Sequence, residues 1–136
     1  MTASTMKIVV DAHALLRFLQ DEEGAEIVEQ HLKKAHMGEV NLYMSEINLS
    51  EVYYMTVRRI GVEPARVKLN EIRQLSLEFV PTLWSLVQSA AELKAEYAVP
   101  YADCFAAATA MDLEAVVMTG DPEFKKLARV IEAIWV

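Results

Sequence analysis

Four acids occupy positions where a carboxylate could do chemistry: Asp11, Glu51, Asp103 and Asp121. Asp11 directly follows Lys7-Ile8-Val9-Val10, a short β-branched run that reads as a buried strand. Asp121 closes Ala115-Val116-Val117-Met118-Thr119, the best strand of the second half. In open parallel sheets, ligands sit outside the carboxyl ends of the strands, where strand order reverses. If the two strands are neighbours, their terminal carboxylates converge. Glu51 shares one helix side with Asn48 and Met55 by 3- and 4-residue spacing, so a polar pair flanks an apolar surface. Asp103 stands in an apolar setting of Tyr101, Ala102, Cys104, Phe105 and Ala106.

Taken singly, each acid has a structural alternative. Asp11 suits a helix N-cap, and Asp121 suits a turn in Thr119-Gly120-Asp121-Pro122. Glu51 could belong to a solvated face, and Asp103 to a first turn favoured by the helix dipole. Gathered in one pocket, four acids would raise each other's pKa and require cations. Hard divalent ions answer that need: Mg²⁺ takes oxygen ligands, keeps several waters and uses one or two carboxylates per ion. Such ions activate water and stabilise the leaving oxygen of a phosphodiester. The carboxylates therefore point to divalent-metal phosphoryl chemistry.

The elements that must position these acids alternate between strand and helix. Leu15, Leu16, Phe18 and Leu19 predict a short helix, and Ala25, Val28, His31, Leu32 and Ala35 a second, ended by Gly38. Asn41-Leu42-Tyr43-Met44 is a weak strand. Ser45 is a natural N-cap for the helix carrying Asn48, Glu51, Val52 and Met55, which Gly61 closes. Pro64 suits the first position of the next helix. Leu77, Phe79 and Val80 suggest a third strand. Residues 82–98 form the clearest helix, and Pro100 opens an alanine-rich one over 103–111. A helical turn at 124–127 and an edge strand within 130–136 complete the pattern. Short strands alternating with helices imply a mostly parallel sheet covered on both faces, an α/β architecture.

The composition narrows the class. A chain of 136 residues, 54% hydrophobic, has material for one core. One cysteine, Cys104, excludes an intrachain disulfide and fits a reducing cytoplasm. No apolar run reaches the ~18–20 residues that span a bilayer, and the first residues lack the pattern of a signal peptide. Residues 1–6 read as a disordered or alternative-start segment, with order beginning at Lys7. The net charge of −7 is unusual for a nucleic-acid binder. It fits acids gathered at a metal site, or an acidic face covered by a basic partner.

Four stretches together resemble the PIN domain, and most closely its small VapC-type toxins. They are Val10-Asp11-Ala12-His13-Ala14-Leu15-Leu16, Ser45-Glu46-Ile47-Asn48-Leu49-Ser50-Glu51-Val52, Pro100-Tyr101-Ala102-Asp103-Cys104-Phe105-Ala106, and Val117-Met118-Thr119-Gly120-Asp121-Pro122-Glu123-Phe124. Each is weak alone; in this order they are specific, and the resemblance runs from about residue 7 to residue 135. It implies one domain over 1–136, a PIN-like three-layer sandwich with a five-stranded sheet. It implies a Mg²⁺- or Mn²⁺-dependent endoribonuclease, dimeric and neutralised by a cognate antitoxin. By position, Asp11, Glu51, Asp103 and Asp121 look like the acidic quartet. Asn48 and Thr119 look like residues that orient it, and Glu123 like a peripheral acid.

The departure is His13, where the family usually has Ser or Thr two residues after the first Asp. Histidine could orient a ligand, bind a softer metal such as Mn²⁺ or Zn²⁺, or mark weaker activity. A non-catalytic module that binds RNA or protein is the alternative function. A phosphatase of the Asp-x-Asp kind would need an acid at position 13, and a receiver domain a lysine near the last strand followed by proline; neither is found. Arg58 and Arg59, at the end of the Glu51 helix, could contact RNA phosphates or simply cap the helix dipole. Arg66, Lys68 and Arg73 extend that basic stretch.

Overall fold

The run ending at Asp11 is the central strand of the sheet. A computed structural model describes residues 5–136. In chain order it contains β1 (Met6–Val10), α1 (Ala12–Leu19), α2 (Ala25–His36), β2 (Val40–Ser45), α3 (Glu46–Ile60) and α4 (Val62–Arg73). Then come β3 (Glu78–Val80), α5 (Trp84–Glu96), α6 (Tyr101–Leu113), β4 (Val116–Thr119), a 3-10 helix (Pro122–Leu127) and β5 (Ala133–Trp135). The sheet order is β3-β2-β1-β4-β5. All four pairings are parallel, so the expected mostly parallel sheet is wholly parallel.

Period-2 alternation in β1 sorts the two cores. Ile8 and Val10 face one side, with Leu42, Met44 and Met118, and pack against Leu15, Val28, Leu49, Val52 and Ile72 of α1 to α4. Val9 faces the other side with Val117 and packs against Ala90, Leu93 and the alanines of α6. Helices thus cover both faces, giving the expected three-layer α/β sandwich. The alanine run 106–108 is buried, because small side chains let α6 lie close to the sheet.

Local signals mark several boundaries well. The Ser45 hydroxyl accepts the Ile47 N–H at 3.2 Å, and Gly61, at φ 89°, receives the end of α3. Pro64 differs from expectation: it is the third residue of α4, not the first. A proline is tolerated there because none of the first four helical N–H groups has an intrahelical partner. The helix expected over 82–98 is trimmed to Trp84–Glu96, and the last strand to Ala133–Trp135. Strand β1 begins at Met6, which already pairs with Val40 in the ladder. The expectation for residues 1–4 lies outside the described residues. No described helix is long and apolar enough to cross a membrane.

Candidate active site

β1 and β4 are neighbours, in register Val10↔Met118. Strand order turns around β1, so chain direction diverges to either side of Asp11 and leaves a crevice at the carboxyl ends. The Asp11 N–H donates to the Met118 carbonyl at 3.1 Å, continuing the ladder one residue past β1. This brings Asp11 and Asp121 together, as their strand-end positions anticipate.

Asp11 is buried and caps α1: its Oδ1 accepts the Ala14 N–H at 2.8 Å. Its Oδ2 accepts the Thr119 hydroxyl. The Thr119 oxygen in turn accepts the Asp121 N–H at 2.9 Å. Asp121 Oδ1 accepts the Glu123 N–H at 3.0 Å and caps the 3-10 helix. The capping reading of Asp11 and the turn reading of Asp121 thus both hold. Each spends one oxygen on its cap, and Asp121 Oδ2 turns to His13 Nε2 at 3.5 Å.

Asn48 joins the second half of the cluster to the first. Its Nδ2 donates to Glu51 Oε1 at 3.2 Å and to the Ala102 carbonyl at 3.1 Å. One buried amide therefore aims Glu51 and ties α3 to the first turn of α6, next to Asp103. Asp103 is 5% exposed, and its Oδ2 has no hydrogen-bond partner among the described residues. Glu123 lies at the periphery in an ion pair with Lys126 at 2.8 Å.

The electrostatics follow from burial and crowding. Burial raises the Asp11 carboxyl to about 6, although its Thr119 and Ala14 hydrogen bonds oppose the rise. Asp103 is pushed up to about 8, by burial first, then by Asp121 beside it and the charges of Asp11 and Glu51. Glu51 is raised as well, chiefly by burial. Among the described residues, His13 is the one basic side chain in ion-pair range of any of the four acids.

An all-oxygen set of crowded acids, with one oxygen orphaned and too few cations, fits a hard divalent ion. Asp103 Oδ2, Asp121 Oδ2 and Glu51 are the groups with donor capacity left for it. Among the described residues, no three His, Cys, Asp or Glu side chains already form a ligating cage. Mg²⁺ needs none, since it binds through one or two carboxylates and keeps waters elsewhere.

A pocket of about 210 Å³ opens beside Glu51, lined by His13, Arg17, Gln20, Glu22 and Met55. A second cleft shares Leu16 and Gln20 with it and continues to Arg59 and Lys68. Arg17 was not singled out from the sequence. It lies one turn after His13 on α1, and helical i, i+4 spacing from His13 would have found it. Its guanidinium donates to the Glu23 carbonyl at 3.0 Å and lies against Gly120, next to Asp121. Of the basic stretch, Arg59 lines the cleft, whereas Arg58 lies over the Tyr54 ring at 5.1 Å. Arg66 pairs with Glu63, Lys68 with Glu71, and Arg73 lies over Phe79, so the stretch does not form one patch.

Similarity to known proteins agrees with this architecture. No curated protein matches the chain by sequence. The fold is similar to that of DNA-bound VapBC from Salmonella typhimurium, at 19% identity and TM-score 0.74, over 96% of this chain and 98% of that one. It is similar to VapBC2 from Rickettsia felis bound to a DNA fragment from their promoter, at 17% and 0.70, over 95% and 98%. It is also similar to VapC20 from Mycobacterium tuberculosis, a sarcin-ricin loop cleaving toxin, at 18% and 0.67, over 92% and 97%. At such identities the likeness is one of fold. The PIN domain family model matches residues 8–130, nearly the whole described chain, and this protein belongs to the PIN domain family.

Proposed function

We propose that this protein is a Mg²⁺- or Mn²⁺-dependent endoribonuclease, the toxin of a VapBC-type pair. In this reading it works in the cytoplasm as a homodimer held in check by a cognate antitoxin. One observation carries the catalytic part: Asp103, buried with an unpartnered oxygen, sits among three other acids whose charges it must share. Family membership and the VapC-like fold support the nuclease and the antitoxin partner. When bound, divalent ions supply Lewis acidity to the attacking water and the leaving oxygen of a phosphodiester. The chain's own residues hold and orient. Thr119 pins Asp11, Asn48 pins Glu51, and the Asp121 carboxylate is set by its cap. Arg17 and Arg59 line the trough leading from Glu51, where they can meet backbone phosphates without reading sequence. These cations offset locally a net charge of −7 that is otherwise unfavourable for RNA.

The partner surfaces in this reading are apolar. An open groove of about 590 Å³ between α2 and the end of α4 is lined by Phe18, Leu32, Met37 and Leu75, and would suit an antitoxin segment. Leu83 and Trp84 are exposed at the start of α5 and would suit a dimer contact. The test of the activity is cleavage of a labelled RNA pool with Mg²⁺ or Mn²⁺, beside Asp103→Asn and an EDTA control. Cleavage lost in both controls is the expected result. No cleavage by folded, antitoxin-free protein in either metal would overturn the nuclease reading in favour of a non-catalytic binding module.

A further inference from the structure

His13 is the second residue of α1, at the point where three of the four acids meet. Its Nε2 lies 3.5 Å from Asp121 Oδ2, longer than the ~2.7–3.2 Å of an ordinary N–H···O bond. With Glu51 it lines the same small pocket. Its side chain is 55% exposed, so it is not a core histidine held by packing. Across the cluster, the buried Asp103 Oδ2 has no partner among the described residues.

Two ligands of one ion have a characteristic spacing. At metal–ligand distances of ~2.1 Å, neighbouring donors stand ~3.0 Å apart in an octahedron and ~3.4 Å apart in a tetrahedron. The separation of 3.5 Å between His13 Nε2 and Asp121 Oδ2 is close to that spacing. Imidazole nitrogen is a poor donor for Mg²⁺ and a good one for first-row transition ions. We propose that His13 Nε2 is a direct ligand of the ion held by Asp121, giving a mixed nitrogen–oxygen site that prefers Mn²⁺ or Zn²⁺ to Mg²⁺. This inference rests on the metal-site reading above and assigns the extra ligand to a residue outside the carboxylate quartet.

The experiment is pulsed electron paramagnetic resonance on metal-stripped protein loaded with Mn²⁺, with His13→Ser and His13→Gln in parallel. Free Mn²⁺ is counted from its own signal, and Mg²⁺ is used as competitor. Bound Mn²⁺ in the wild-type protein should show modulation from a directly coordinated ¹⁴N, absent in both variants. The Mn²⁺ dissociation constant should rise about tenfold or more in the variants, while the Mg²⁺ competition constant hardly moves. Bound Mn²⁺ without ¹⁴N modulation, or modulation persisting in the variants, overturns the role of His13 and leaves the carboxylate site standing. No Mn²⁺ binding by the folded wild-type protein overturns both readings. Melting curves of the variants exclude unfolding as the cause.

Discussion

Asp103→Asn should abolish metal-dependent cleavage and yet make the metal-free protein more stable. At neutral pH the wild-type chain must take up a proton at Asp103 as it folds, because the carboxyl moves from 3.8 to about 8. One pKa unit is worth ~1.4 kcal/mol, so the burden is on the order of 5 kcal/mol at neutral pH. An amide needs no proton, but it leaves a buried polar group where Oδ2 has no partner. That group costs ~1–3 kcal/mol, which leaves a net gain of roughly 2–4 kcal/mol. For a domain of this size the gain corresponds to roughly 10 °C in Tm. The raised folded value also sets the pH dependence. The Asp103 contribution to stability is fully present below the ordinary 3.8 and is lost as pH climbs to about 8. The advantage of the variant should therefore be complete at the high end of that window and give way near its low end to a deficit of ~1–3 kcal/mol, the cost of the unpartnered amide.

The assay is thermal or urea unfolding in EDTA across that pH range, repeated with Mn²⁺. Adding metal should reverse the order, since an ion at 100 times its Kd stabilises the wild-type fold by ~2.7 kcal/mol and the variant by much less. A variant no more stable than wild type in EDTA at neutral pH, or a gain independent of pH, would refute the account of Asp103 as a carboxyl crowded for metal.

Three further outcomes are expected. Thr119→Val removes the donor to Asp11 and the acceptor of the Asp121 N–H; it should cost ~1–3 kcal/mol in urea unfolding and raise the Asp11 carboxyl further in an NMR titration. Asn48→Ala frees Glu51 and removes the side-chain tie to the Ala102 carbonyl, so RNA cleavage rates should fall ~10–100-fold while circular dichroism shows the helices retained. Gly24→Ala should lower Tm well beyond Gly38→Ala: both glycines have positive φ, but a Cβ at Gly24 would stand 2.7 Å from the Val136 carbonyl carbon, whereas Gly38 has open space.

Much of this protein is legible locally. Strand and helix alternate by hydrophobic period, and Ser45 and Gly61 mark the ends of α3, because capping and periodicity act within a few residues. Asp11 and Asp121 could be placed at strand ends for the same reason. The proposed class of chemistry rests on the acids of four motifs in sequence order. Helix ends such as those of α5 were less legible, since no side-chain cap marks its start at Leu83.

Whether the acids meet was a matter for the tertiary structure. Asp11 and Asp121 are 110 positions apart in number, and only the β1–β4 pairing makes them neighbours. The amide of Asn48 reaches the Ala102 carbonyl across 54 residues, a contact that no local spacing contains. The same holds for Arg17, which reads as an ordinary helix-end cation until Gly120 is seen to leave it room beside Asp121. It holds too for the basic stretch of α3 and α4, contiguous in sequence yet divided among Tyr54, Phe79 and local acids. Residue types and short-range periodicity set which groups were available. Strand order and helix packing set which of them share a pocket, because burial and charge depend on distance in space.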